Sequence, residues 1–263
     1  NAFAAQLFKT YLCQKICMSK QVEKPAQAKP KEQEALPDNT RTGPFMKLSF
    51  SREAVENAKS FLREQGFREE RLEKWFSDPR LEVLTYLKPI NAANARSKKV
   101  HEKKGEMADY QQYKQDHDFR LLVYMGRIMM ALHSDAFEAA EREMGVPKKL
   151  IAATLGIEGK FGLSPKKFPV FSLYMTYIQN RPGKEEFAKN ELADLLRICI
   201  KYNADPFSVM GSSAGAILPG QLLPSTIRQV DDLPKGASFD DLSSFSQSIR
   251  MVAKTLRIFG ATA

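Results

Sequence analysis

From residue 51 onward the apolar residues recur at three- and four-residue intervals, and no stretch alternates apolar with polar long enough to make a half-buried strand. The chain is therefore expected to be mainly α, because a helix-period stripe cannot lie on one face of a pleated sheet. Ser51 is placed to cap a helix striped by Val55, Ala58, Phe61 and Leu62, which Gly66 ends. A short helix follows, with Leu72, Trp75 and Phe76 apolar. Residues 118–133 are apolar enough for a core helix, Ser134-Asp135 reads as the cap of a helix to Met144, and Gly145 stops it. Pro147 then occupies a first helical position. Leu150, Ile151, Thr154 and Leu155 form the stripe of a helix ending near Gly156, which puts Glu158 at or just past a helix end. Further helices are expected over 168–179, 184–202, 219–230 and 239–258, and no fixed repeat suggests a solenoid.

Ahead of this unit, residues 3–19 look helical, with Phe8, Leu12 and Ile16 about a turn apart. Residues 20–44 shift to Lys, Gln, Pro and Ala, with Pro25, Pro30, Pro37 and Pro44 breaking any long element, and read as an extended basic linker. The expected division is residues 1–45 as helix and linker and 46–263 as one folded unit. Residues 88–104 read as a solvated basic loop.

Forty Lys+Arg against thirty-one Asp+Glu give a formal charge of +9, which suits an acidic partner: nucleic acid, anionic lipid or an acidic wall polymer. The charge is spread through linker and loops and is not gathered on one helix face between aromatics, so no nucleic-acid partner is expected. No apolar run reaches the length needed to span a membrane, the stretch 2–13 being broken by Gln6 and Lys9. Cys13, Cys17 and Cys199 lack zinc-site spacing, and Cys13 lacks the small preceding residue of a lipidated cysteine. The opening residues do not make a whole signal peptide, so any export signal is expected upstream of Asn1.

Two segments bear on chemistry. Gly211-Ser212-Ser213-Ala214-Gly215 fits the G-x-S-x-G pattern of a nucleophile elbow, but that chemistry needs a strand before it and a histidine after it. His101, His117 and His133 all precede it, so Ser213 is not read as a nucleophile. No H-E-x-x-H, P-loop or dinucleotide fingerprint occurs, and neither cofactor nor metal is expected. The second segment is Gly156-Ile157-Glu158-Gly159-Lys160-Phe161-Gly162. An acid between Ile157 and Phe161 would be partly desolvated, which raises its pKa and lets it keep a proton for a leaving oxygen. Glycines on both sides would let a bulky polymer come close. The same seven residues equally allow Glu158 to cap locally or pair with Lys160.

The resemblance to a family decides between them. Glu158 to Gly162 resembles the E-[ST]-x-[aromatic]-G motif of the membrane-bound lytic transglycosylase B family, and Gly145-Val146-Pro147 resembles the helix start that precedes it there. The segment from Gly211 to Ser225, GSSAGAILPGQLLPS, is similar to that family's G-S-Y-A-G-A-M-G-x-x-Q-F-M-P-S. Between the two, Arg181-Pro182, Glu186-Phe187, Glu191-Leu192 and Asp205-Pro206 fall where the family has the same pairs. The resemblance implies a lysozyme-like α core with an added helical domain around a long glycan-binding cleft, the accessory helices being 46–133 and the catalytic core 134–263. It also implies a lytic murein transglycosylase of the periplasm or cell envelope, acting on peptidoglycan. Glu158 would protonate the oxygen between N-acetylmuramic acid and N-acetylglucosamine, then assist the muramic acid's own 6-hydroxyl to form a 1,6-anhydro sugar. Because that hydroxyl replaces water, one acid suffices. Ser212 and Gln221 would hydrogen-bond the sugar, Phe161 would stack on it, and Gly162 and Ser213 would complete the substrate site. On the residues alone, Ser212 can equally be a cap and Gln221 a surface residue.

Four departures from the pattern qualify this. Gly159 replaces the Ser/Thr after the acid, Ser213 a tyrosine, Leu218 a glycine, and Lys254-Thr255 the Asn-Tyr of the family's V-A-N-Y. Residues 230–239 carry Asp231 and Asp232 without the alternating ligands of a calcium loop, so no calcium is expected. The alternative reading is a protein of the same fold that grips glycan with an impaired active centre.

Overall fold

A computed structural model describes residues 49–85 and 119–262. The expected helix over 3–19, the linker, the basic loop 88–104, Cys13 and Cys17 lie outside the described residues. Helix α1 (Arg52–Glu64) begins where the Ser51 hydroxyl accepts the Ala54 amide at 3.1 Å, satisfying one of the open N–H groups of the first turn. Gly66, at φ +84°, turns the chain into α2 (Glu69–Phe76), anchored by the buried Leu72. Next come α3 (Phe119–Leu132), α4 (Ser134–Met144), ended by Gly145 at φ +67°, and α5 (Lys148–Gly159). The remaining helices are α6 (Val170–Asn180), α7 (Glu185–Lys201), α8 (Pro224–Val230), α9 (Phe239–Ser243) and α10 (Phe245–Ile258). Among the described residues the sheet is one short antiparallel pair, β1 (Phe168–Pro169) against β2 (Met210–Gly211), with Phe168 opposite Gly211.

The core is built around α6, which is buried without a gap from Val170 to Ile178. An apolar helix with no polar face must be covered on all sides. Here α1 and α7 pack against it, α8 packs on α7, and α10 joins α8 to the α4–α5 pair. Phe137, Ile151, Leu155, Phe171 and Leu173 are each 0 % exposed. At roughly 1.5–3 kcal/mol per buried side chain of this size, this seam dominates the stability.

Several elements differ from the sequence expectation, each for a physical reason. Of α3 only Gly126 is buried, and Leu121, Tyr124, Ile128 and Leu132 are exposed, because one side of the helix packs on α4, α5 and the turn after α5. His133 stands at the N-cap of α4, with Ser134 inside the helix, and Pro147 caps α5 just ahead of its first residue. Helix α5 runs on through Gly156 to Gly159, so Glu158 lies within its last turn. Packing against those two glycines outweighs their poor helix propensity. Phe168 and Pro169 form a strand. Residues 217–222 form a tight hairpin in place of the start of a helix. The helix expected over 239–258 is broken at Ser244, which caps α10 by accepting the Gln247 amide at 3.1 Å.

Candidate active site

Glu158 is the second-last residue of α5 and is partly buried. Directly after it the backbone enters the left-handed region for three residues, Lys160 at φ +45°, Phe161 at +55° and Gly162 at +87°. This run reverses the chain, and the Ser164 amide donates back to the Gly159 carbonyl at 3.0 Å. A Cβ at Gly156 would stand 2.9 Å from Cζ of Phe161, and one at Gly126 3.3 Å from it, so the ring fills a notch between α5 and α3.

The opposite wall is the hairpin 217–222. Ile217 and Leu222 exchange both backbone hydrogen bonds, at 2.9 and 3.1 Å, and the four residues between them turn through Leu218 at φ +63° and Gln221 at +51°. Its tip lies on the end of α5. A Cβ at Gly159 would be 2.2 Å from the Pro219 carbonyl oxygen and 3.5 Å from Cγ of Gln221. The departure from the Ser/Thr motif therefore has a steric cause: any side chain at 159 would collide with backbone. Leu218, at the family's glycine position, adopts the left-handed conformation that glycine adopts freely. Its cost of about 1–2 kcal/mol is offset by burying the leucine, 3 % exposed, which contributes roughly 1.5–3 kcal/mol. Four of the five non-glycine residues with positive φ in the described chain, Lys160, Phe161, Leu218 and Gln221, lie on these two facing turns. Backbone strain gathered in one place marks a site that the surrounding packing over-determines.

That packing comes from α6 and α7. The Tyr174 hydroxyl donates to the Gly215 carbonyl at 3.1 Å, and the Tyr177 hydroxyl to the Ser213 carbonyl. Burial holds both phenols above their ordinary pKa, so they remain donors. Glu191, 4 % exposed on α7, accepts the Ser225 amide at 3.0 Å and the Ser225 hydroxyl at 2.5 Å, anchoring the first turn of α8 just past the hairpin. Burial raises its pKa, and the two bonds from Ser225 partly oppose that. Tyr174, Tyr177 and Glu191 were not singled out as site residues from the sequence. Glu191 stood in a quoted motif, but nothing local marked it as the anchor of a loop thirty-four residues away.

Of the expected site residues, the structure brings Gln221 beside Gly159, the residue that follows Glu158. Gln221 is 6 % exposed, and its side-chain amide donates to the Leu218 carbonyl at 3.3 Å within the hairpin. The Ser212 hydroxyl accepts the amides of Ala214 and Ala216 at 3.3 and 3.2 Å, so it shapes its own loop while its proton is left to donate elsewhere. Ser213 is partly buried on the same loop, and Gly162 faces Pro219, whose Cβ is 3.3 Å from where a Cβ at Gly162 would be. Phe161 departs from expectation. It is 6 % exposed with its ring in the α3–α5 notch, and would have to leave that notch to offer a face to a sugar. On α10, Lys254 reaches away to Asp232, 2.5 Å, and the Val230 carbonyl, 3.1 Å, while Thr255 bonds the Met251 carbonyl of its own helix at 2.9 Å. Asp231 is taken up by Lys201 and Tyr202 at 2.7 and 2.6 Å. Among the described residues no cluster of three His, Cys, Asp or Glu side chains could hold a metal ion. A cavity of about 320 Å³ between α4 and the start of α10, lined by Ala136, Ala140, Ser244 and Gln247 among others, lies apart from Glu158.

The arrangement is a carboxyl group at a helix end, met by a rigid hairpin that carries the Gln221 amide and is preceded by the loop that carries the Ser212 hydroxyl. Such a site can donate and retrieve a proton at a bound oxygen. Comparison with known proteins points the same way. Membrane-bound lytic murein transglycosylase B of Escherichia coli is 30% identical over 107 residues, 41% of this chain and 30% of that protein. The soluble lytic transglycosylase SltB1 of Pseudomonas aeruginosa superposes with a TM-score of 0.61 at 22% identity, covering 78% of this chain and 66% of that one. SltB3 of the same organism, solved in complex with NAG-anhNAM-pentapeptide, gives 0.62 at 18% identity over 80% of this chain and 53% of its own. The chain thus spans under a third of the curated relative and about two thirds or less of these solved chains. The profile of the Transglycosylase SLT domain matches residues 50–258, and the chain belongs to that family.

Proposed function

We propose that this chain cleaves the glycan strands of peptidoglycan as a lytic transglycosylase, with Glu158 as its single acid/base, in the periplasm or cell envelope. The observation that carries the reading is the meeting of two turns: Glu158 in the last turn of α5, and the hairpin whose Pro219 carbonyl closes on Gly159 and sets Gln221 against the residue that follows the acid. In step one, protonated Glu158 gives its proton to the oxygen between muramic acid and glucosamine as the glycosidic bond breaks. In step two, the carboxylate takes the proton of the muramic acid's 6-hydroxyl as that oxygen closes on the anomeric carbon, leaving a 1,6-anhydro end. The nucleophile belongs to the substrate, so its effective concentration replaces a second carboxylate. Gln221 and the donor proton of Ser212 hold the sugar against the hairpin. Ser213 and Gly162 line the same wall, and Phe161 braces the turn from behind. The partner is a muramyl glycan, the class of ligand named for SltB3.

The test is digestion of purified sacculi by the parent and by Glu158→Gln, with soluble muropeptide release as the readout. Release by the parent alone supports the reading. A second reading, a glycan-gripping protein with an impaired centre, is favoured by Lys254 and Thr255, whose side chains are turned to Asp232 and to their own helix. It predicts sacculus binding by both proteins and release by neither.

A further inference from the structure

Lys166 stands out among the basic side chains. Of the described lysines and arginines that are at least partly shielded from water, Lys59, Lys148, Lys189, Arg197, Arg250 and Lys254 each meet a carboxylate, and Arg181 lies over the ring of Tyr177. Lys166 is partly buried and has neither ion pair, hydrogen bond nor ring contact among the described residues. Burial alone lowers its pKa, with no opposing charge to hold the proton. A shielded ammonium without a partner costs stability.

Its position tells what could use it. The Ser164 amide is bonded to the carbonyl of Gly159, one residue past Glu158, and the Lys167 amide to the carbonyl of Gly211, one residue before Ser212, both at 3.0 Å. Lys166 is thus held on a four-residue strap whose two ends are tied to the two walls of the proposed site. The strap cannot drift away from the sugar-binding loop without breaking the β1–β2 pair.

We infer that the Lys166 ammonium is a built docking point for a carboxylate carried by the muramyl residue of the substrate. This rests on the glycan-cleaving reading and adds to it a specificity determinant: the site selects strands that carry carboxylates over neutral chitin-like ones. An ammonium already stripped of part of its water binds an anion more strongly than an exposed one, and the bond that forms is charge-assisted.

The test is titration calorimetry in the Glu158→Gln background, where the ligand survives, with and without Lys166→Met. Three ligands of equal length are used: peptide-bearing muramyl strands, muramyl strands stripped of peptide so that the lactyl carboxylate is free, and N-acetylglucosamine oligomers with no carboxylate. Lys166→Met is expected to weaken binding of carboxylated strands by about tenfold, to leave the neutral oligomer unchanged, and to raise Tm, because it removes an uncompensated cation. A loss confined to peptide-bearing strands assigns the carboxylate to the peptide, a loss confined to stripped strands, where the lactyl carboxyl is freed from its amide bond, assigns it to the lactyl group, and a loss on both shows that the ammonium accepts either carboxylate. Equal weakening of all three ligands, or of none, overturns the inference and leaves glycan binding standing. Failure of the folded Glu158→Gln protein to bind any of the three overturns the inference and the glycan reading together.

Discussion

The hairpin that meets the end of α5 and the helix α10 depart from the family's pattern in opposite ways. The contact between hairpin and α5 has altered residues on both sides, Leu218 on the hairpin and Gly159 on α5, yet it keeps a tightly determined shape: both turns are left-handed, and Tyr174, Tyr177 and Glu191 hold the segments on either side of the hairpin. Helix α10 keeps its helical form and differs from the family's pattern in its polar residues. Lys254 and Thr255 spend their polar atoms on Asp232, Val230 and Met251, which are structural partners. Geometry at the end of α5 is held at the expense of strain, whereas the polar groups of α10 serve ordinary helix packing. Under the proposed function, hydrogen bonding to the sugar would fall to Gln221 and Ser212, and perturbations of the hairpin and of α10 should differ in size.

The largest effect is expected from Gly159→Ser, which restores the family's residue. Its Cβ would meet the Pro219 carbonyl at 2.2 Å, so the hairpin must lift, at an expected cost of about 3 kcal/mol and most of the activity. Chemical denaturation and muropeptide release would show it, and a stable, active Gly159→Ser protein would break the claim that the hairpin is locked. Tyr174→Phe removes one buried bond to the Gly215 carbonyl and leaves that acceptor unpaired. A loss of about 1–3 kcal/mol is expected, together with a raised KM, since the loop carrying Ser212 loosens.

Why the hairpin was not foreseen is instructive. Residues 219–230 carry a helix-like apolar spacing, and the turn at 217–222 depends on contacts with Gly159 and Val252, which are distant in sequence. Caps such as Ser51 and stops such as Gly66 and Gly145 were legible because a helix end is satisfied by its own neighbours. That Glu158 would lie at a helix end was legible from the apolar stripe before it and the glycines around it. The burial of Phe161 was not, because an aromatic beside an acid reads the same whether it faces a ligand or the two glycines, Gly126 and Gly156, that accept its ring. The exposed stripe of α3 was missed for a related reason: periodicity identifies a helix and leaves open which face finds a partner.

Smaller effects sharpen the contrast. Burial raises the folded-state pKa of Glu191, so its contribution to stability is fully present below the ordinary carboxyl value and is lost as pH rises through the raised one. Glu191→Gln should flatten that part of the stability profile in denaturation measured from about pH 4 to pH 7. An unchanged slope would show that Glu191 is not the titrating anchor of α8. At α10, burial works to raise the pKa of Asp232, but bonds from Lys254, Arg250 and Gln247 outweigh it and bring the group down to about 2. Its contribution is therefore present above the ordinary aspartate value and fades as pH falls toward about 2. Lys254→Ala should cost under about 1 kcal/mol near neutral pH and little activity. A collapse of turnover in Lys254→Ala would place α10 back in the catalytic machinery.

The most direct test of the central claim is the chemical nature of the ends that the protein leaves on peptidoglycan. If Glu158 hands its proton first to the glycosidic oxygen and then takes that of the substrate's own 6-hydroxyl, mass spectrometry of the released fragments will show 1,6-anhydro ends, lighter by one water than hydrolysed ones, with the parent and none with Glu158→Gln. Reducing ends from the parent, or anhydro ends that persist in Glu158→Gln, would contradict it.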